Sequence, residues 1–238
     1  LALAQERGVG IDLHVDESGN PQAECLRLVA EAVLRNRFTL PVVCGHCCSL
    51  AVQDPARAQA TLALVREARI GVISLPECNL YLQDRRAAAA PFPRTPFWRG
   101  ITLVHDLLDA GIPVACASDN VRDAFHAFGD YNPAEVYAQS VRLAHLDARL
   151  EDSVRVVTSA AADLIDVVVA EEHGRLIGAC LGLRTFSTWR GARGLYVVDL
   201  YVEPAARGRN IGQRLLRKLC DRCKTVDEHI PAVVLRNL

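Results

Sequence analysis

Ile11-Asp12-Leu13-His14-Val15-Asp16-Glu17 is an apolar, strand-forming run that ends in an imidazole and two carboxylates. Three later runs of the same kind lead into polar or metal-capable residues: residues 40–45 into His46, residues 71–75 into Glu77, and residues 112–117 into Asp119. Helical periodicity fills the gaps between them. Residues 22–36 carry Cys25, Leu28, Val29, Ala32 and Val33 on one face, and Asp54-Pro55 opens a helix to about Ala68 with proline at its first position. Residues 100–110 read as a helix ended by Gly111, and residues 133–146 as another. Residues 87–96, with Pro91, Pro93 and Pro96, read as a long loop. Alternating β and α units imply a parallel sheet, and reactive residues at the C-terminal ends of its strands imply the mouth of a β/α barrel.

The composition narrows the function classes. Half of the 238 residues are apolar and 23% are charged, as in ordinary globular chains. A formal net charge of −1 gives no basic field for nucleic acid. No apolar run reaches the ~18 residues of a membrane span, and residues 1–7 are too short and too charged for a signal peptide. The expectation is a cytoplasmic protein acting on a small molecule, with neither nucleic acid nor membrane as partner. The absence of Met, even at position 1, points to a chain whose start is missing. Nine cysteines without the short, Gly/Pro-rich frame of a secreted scaffold read mostly as small buried hydrophobes, Cys25, Cys78, Cys116 and Cys180 first among them.

The texture changes near Ile165. Residues 166–170, 176–186 and 194–202 read as consecutive strands with a turn at His173-Gly174, and residues 211–223 as a helix. Strands followed by a helix suggest a separate α+β unit, so the expected domains are 1–165 and 166–238. At the last strand–helix junction stands Val202-Glu203-Pro204-Ala205-Ala206-Arg207-Gly208-Arg209-Asn210-Ile211-Gly212. A helix start offers unpaired N–H groups and a positive dipole end, glycines allow close backbone approach, and arginines pair with phosphate. A plain strand–turn–helix connection containing glycine has the same local pattern.

Ile11 to Glu17, Cys44-Gly45-His46, Ser74-Leu75-Pro76-Glu77-Cys78-Asn79-Leu80-Tyr81-Leu82-Gln83, Arg99-Gly100-Ile101-Thr102 and Ser118-Asp119-Asn120-Val121-Arg122-Asp123 stand in the order and spacing of cytosine-deaminase-like amidohydrolases. The resemblance covers residues 1–165. It implies His14 as a metal ligand, Glu17 as the acid/base that protonates the ring, His46 as a polar partner of the nascent hydroxide, and Asp119 as metal ligand and proton acceptor. The metal it implies is divalent, zinc or iron. The departures are three. The family's His-x-His pair is absent, strands five to eight alone are represented, and Asn120 replaces an aspartate that some members use. A half-barrel with exposed edges implies a second copy or a complementing chain.

Val202-x-Pro204-x-x-Arg207-Gly208-x-Asn210-x-Gly212 resembles the cofactor motif of the GNAT acetyltransferase superfamily, and residues 186–202 its diamine-acetyltransferase branch. The resemblance covers residues 166–238. It implies that Val202, Arg207, Gly208, Arg209, Asn210, Ile211 and Gly212 hold acetyl-CoA and that the acceptor amine sits near Asp199. Val198 replaces a frequent glutamate, and the two helices that precede the family's sheet are not recognisable. The segment that supplies the family's tyrosine acid is absent beyond residues 232–238, which read as a further strand.

Two cysteine patterns compete weakly with these readings. Cys44-Gly45-His46-Cys47 resembles a disulfide-isomerase site without its usual preceding aromatic, and Cys220-x-x-Cys223 reads as a helical packing pair. The expected fold is α/β, a partial (β/α) barrel followed by a truncated α+β unit. The function ranked first is a GNAT-type N-acetyltransferase for a small amine, because its contacts are local. The alternatives are a metal-dependent deaminase completed by another chain and an inactive fusion fragment.

Overall fold

Ile11–Val15 (β1), Val42–His46 (β2), Gly71–Ser74 (β3) and Val114–Cys116 (β4) pair in parallel, in the order β1-β2-β3-β4. The computed structural model describes residues 1–85, 95–130, 132–164, 166–187 and 192–223, and the chain divides into two compact units, Leu1–Leu164 and Ile165–Leu238. Every residue of β2 is buried, as expected of a central parallel strand covered on both faces. The register sets His14 opposite Gly45 and Val15 opposite His46, so both imidazoles leave the sheet at the same end.

Helices return the chain between strands. After Ala2–Arg7 (α1) come Cys25–Arg35 (α2), Pro55–Glu67 (α3), Pro76–Leu82 (α4), Val104–Asp109 (α5), Pro133–Leu143 (α6), Leu150–Ser153 (α7) and Ser159–Leu164 (α8). The Asp54 carboxylate caps α3, accepting from the N–H groups of Ala56 and Arg57, and Pro55 stands where no intrahelical donor is needed. Leu26, Leu62, Val65, Ile70, Leu107 and Leu146 form the centre of one apolar core. Full burial of each such side chain contributes roughly 1.5–3 kcal/mol of transfer free energy.

Three expectations need correction. The buried face of α2 is Leu26, Ala30 and Val33; Cys25 and Leu28 face outward. Burial at 26, 30 and 33 follows the helical repeat, but the phase is set by packing that the apolar content of α2 does not reveal. The segment 100–103 is not helical, and α5 begins at Val104. Gly100 has φ +74°, and a Cβ there would stand 2.2 Å from Gln83 Cγ, so the chain turns at Gly100 before the helix can start. Finally, α6 stops at Leu143, and a separate 3₁₀ turn spans Leu146–Arg149.

In the second unit Asp166–Glu172 (β5), Arg175–Ser187 (β6) and Ala192–Val202 (β7) form an antiparallel sheet in chain order. His173 and Gly174 both have positive φ, which two-residue hairpin turns of the tightest kind require. Ile211–Cys223 (α9) packs Ile211, Leu215 and Leu216 against Ile177 and Cys180. Gly178 permits this approach, since a Cβ there would stand 3.2 Å from Leu215 Cδ1 and 3.3 Å from Ile211 Cγ2. The strand expected at 232–238 and residues 86–94 of the proline loop lie outside the described residues. The class is α/β: a parallel partial barrel followed by an α+β unit.

Candidate active site and cofactor cradle

Asp16, His46, Cys47 and Asp119 have φ between 50° and 68°, left-handed values that non-glycine residues seldom adopt. All four stand just past β1 or β4 or at the end of β2. Concentrated backbone strain of this kind marks sites where side chains are held for chemistry. Asp16 serves the scaffold: its carboxylate accepts from Leu26 N–H, and its carbonyl accepts from Ser18 and Ser49.

Around this rim the structure brings together His14, Glu17 and His46. The His14 and His46 rings meet edge to face with centroids 4.8 Å apart. Glu17 Oε1 lies 3.8 Å from His46 Nδ1, and Asn79 bridges the two. Asn79 Nδ2 donates to Glu17 Oε1 at 3.1 Å and lies 3.0 Å from His46 Nδ1. Gln83, the residue just past the end of α4, donates to the same carboxylate oxygen at 3.3 Å. His46 is 2% exposed and Asn79 1%, whereas His14 and Glu17 face outward. His46 Nε2 is buried without a hydrogen-bond partner.

Asp119 joins through a thiol. Cys78 precedes Asn79 on α4, and its pKa is pushed up to about 12 by burial and then by its hydrogen bond to Asp119. The Cys48 thiol donates to Asn79 Oδ1 at 3.3 Å and is likewise pushed up to about 12, by burial and then by the Glu17 carboxylate. Asn120 donates to Asp123. Glu77 lies in the first turn of α4, not at the end of β3. Among the described residues no group of three or more His, Cys, Asp or Glu side chains stands close enough to hold a metal ion. His14 and Asp119 therefore do not build a metal site by themselves. The thiols of Cys44 and Cys47 are free and buried, and that of Cys44 is pushed up to about 12, the reverse of a reactive redox pair.

Sequence reasoning missed Asn79, Gln83 and Cys48 as site residues. The available signal was an Asn and a Gln four residues apart, on and just after a short helix that follows a strand. Trp98 was also missed; its Nε1 is buried without a partner, and a Cβ on Gly19 would fall 2.6 Å from its ring.

In the second unit the end of β7 and the start of α9 enclose a groove of about 510 Å³, lined by Val202, Arg207, Gly208, Asn210, Ile211 and Gly212 among others. Gly208 and Asn210 have φ of 78° and 56°, and they turn the backbone just before the free N–H groups of a helix start. Arg207 Nε donates to the Val202 carbonyl at 3.1 Å, and Arg209 pairs with Glu172 in the adjacent sheet. Both guanidinium groups thus have internal partners, and the groove offers chiefly backbone donors. Asp199 pairs with Leu181 beside a register shift; its side chain lies outside the described residues.

Residues 1–174 match the amidohydrolase family, and residues 125–235 match the acetyltransferase (GNAT) family. The second match takes in the helical segment that the sequence alone assigned to the barrel. Val136, Ala144, Leu146 and Val156 of that segment pack in the first unit's core. Over 165 residues the chain is 51% identical to a pterin deaminase of Rhizobium rhizogenes, covering 69% of this chain and 37% of that protein. Among solved structures it is similar to 5-methylcytosine deaminase from Klebsiella pneumoniae liganded with 5-fluorocytosine. That likeness has a TM-score of 0.64 and 27% identity, over 76% of this chain and 43% of that one. It shares the fold of N-isopropylammelide isopropylaminohydrolase from Burkholderia multivorans, with a TM-score of 0.56 and 22% identity over 76% of this chain and 43% of that one. The chain spans less than half the length of each of these relatives.

Proposed function

Because this chain belongs to the amidohydrolase family, we propose that its first unit carries one side of a hydrolytic deaminase site for an amino-substituted nitrogen heterocycle, a pterin foremost. The carrying observation is the buried His46–Asn79 pair at the strand ends, with outward-facing Glu17 held by Asn79 and His14 beside His46. The 51% identity to a pterin deaminase supports the substrate class.

Hydrolytic deamination adds the oxygen of water to the ring carbon bearing the amino group and releases ammonia. Glu17, outward-facing and held by two amide donors, moves a proton to the ring nitrogen beside that carbon. His46 donates to the oxygen that adds. The family resemblance implies a divalent metal; His14 and Asp119 would contribute to holding it, with further ligands from beyond the described residues, and it would activate the attacking water. β1 and β4 each have one edge unpaired among the described residues. Further strands pairing at these edges complete the site.

The motif at residues 202–212 supports a second reading, acetyl-CoA held at the start of α9 for transfer of its acyl group to a small amine. The left-handed Gly208 and Asn210 beside the groove favour it. Sequence alone ranks this reading first; the longer family match and the 51% identity to a pterin deaminase lend more support to the deaminase reading.

The test is a fluorescence titration of pterin into the full chain. The expected result is saturable binding that falls at least about tenfold in His46→Ala, the scale of one lost hydrogen bond. Absence of saturable binding, or equal affinity in the variant, overturns the proposal.

A further inference from the structure

Asn79 is buried at the point where three site elements converge, and each of its polar atoms has work to do. Its Oδ1 accepts from the Cys48 thiol at 3.3 Å. Its Nδ2 faces Glu17 Oε1 at 3.1 Å and His46 Nδ1 at 3.0 Å. The opposite orientation of the amide would set Oδ1 against Glu17 Oε1, an oxygen that already accepts from Gln83, and would take from the Cys48 thiol its acceptor, so the neighbours fix which end is which. An amide nitrogen carries two protons and no lone pair for accepting. One proton goes to Glu17 and the other to His46 Nδ1, which must therefore be the bare nitrogen of the neutral ring. The ring proton is then on Nε2, the atom that is buried and unpartnered.

From this juxtaposition we infer that Asn79 is a positioning residue: it locks neutral His46 in the Nε2–H tautomer and holds Glu17 beside it, so that the site presents a hydrogen-bond donor to its ligand. Its part in binding rests on the deaminase reading; the tautomer lock does not. A ring donor of this kind selects an occupant with an acceptor oxygen or nitrogen at that place. It disfavours one presenting an N–H, which would leave two donors facing each other in a dry site. The Cys48 thiol completes the device by holding the amide against rotation.

The experiment is a long-range proton–nitrogen correlation spectrum of the ¹⁵N-labelled full chain at a pH where the imidazoles are neutral. His46 is assigned by its loss in His46→Gln. The parent is expected to show the Nε2–H tautomer. Asn79→Asp puts a carboxylate against Nδ1 and is expected to move the proton there, while Asn79→Ala is expected to leave a mixture. His105 is the internal control, because its Nδ1 accepts from Arg149 and its Nε2 donates to the Ala144 carbonyl, away from Asn79. Its signal stays unchanged if the variants fold. A parent showing Nδ1–H overturns the inference whether or not the variants fold, and so does an Nε2–H pattern that persists in both variants. If pterin fails to bind while the tautomer switches, the functional reading falls and the tautomer lock stands. If pterin binds the parent and binds Asn79→Asp equally well, the positioning role falls.

Discussion

The rings of His14 and His46 meet edge to face, 4.8 Å between centroids and 78° between planes. Gly45 flanks that contact: it pairs with His14 in the sheet, and a Cβ on it would stand 3.6 Å from His14 Cδ2, an ordinary contact distance. Alanine fits at that distance. A longer branched side chain has to displace His14 or the strand, and overpacking a buried position of this kind costs about 1–3 kcal/mol. Gly45→Ala is therefore expected to leave urea stability nearly unchanged and Gly45→Leu to lower it by that amount, with pterin affinity falling in the second variant alone.

Thr102 ties the loop before α5 to the strained strand end. Its hydroxyl donates to the Cys47 carbonyl at 2.7 Å, within the core. Thr102→Val preserves the shape and removes the donor; the Cys47 carbonyl keeps only its longer bond from Leu50 N–H at 3.3 Å, so the loss is that of one hydrogen bond, about 0.5–1.5 kcal/mol. Chemical denaturation checks this; an unchanged midpoint would show that the hydrogen bond does not hold the loop.

The buried thiols give the pH response its sign. Cys44, Cys48 and Cys78 are pushed up to about 12 and Cys116 to about 11, from an ordinary value near 9, chiefly by burial. The folded chain thus keeps protons that the unfolded chain releases. The resulting stability is fully present below pH 9 and is lost as pH rises through 11 to 12. Denaturant midpoints are expected to fall between pH 8 and pH 11. Thiol alkylation at pH 8 is expected to be fast at outward-facing Cys25 and slow at these four; equal rates at all five contradict the burial.

Gly212 separates the acetyl-CoA groove from mere packing. A Cβ there meets Leu200 and Val202 at ordinary contact distances of 3.6 and 3.8 Å, so Gly212→Ala is expected to fold and keep its affinity. Gly212→Glu brings a negative charge to the helix start where a pyrophosphate would lie, and is expected to abolish acetyl-CoA binding in calorimetry. Binding that survives in this variant removes the cofactor reading.

Much of the scaffold was legible before the structure. The strands that end beside His14, at His46 and three residues before Asp119, the Asp54-Pro55 helix start and the helix from Ile211 to Cys223 follow from local rules of alternation and capping, and those rules act over a few residues. The phase of α2 was not legible, because it depends on partners far along the chain. Nor was the start of α5, where the close approach of Gln83 to Gly100 overrides helical periodicity. At the site, residues that carry charge were easy to find. Asn79 was not, since an amide on a helix looks like any solvated residue until its neighbours converge on it. The helical stretch from Pro133 to Leu164 lies in the overlap of the two family matches for a different reason: amphipathic helices satisfy both families' patterns, and local sequence cannot say which sheet they cover.

The claim that the first unit binds an aminated heterocycle through His46 and Glu17 is tested most directly by thermal melts of the full chain with pterin, with acetyl-CoA and with neither. A ligand at a hundred times its dissociation constant stabilises the native state by about 2.7 kcal/mol. The account predicts that pterin raises the transition of the parent and leaves that of the His46→Ala, Glu17→Gln double variant in place. A transition that acetyl-CoA raises and pterin does not would contradict it.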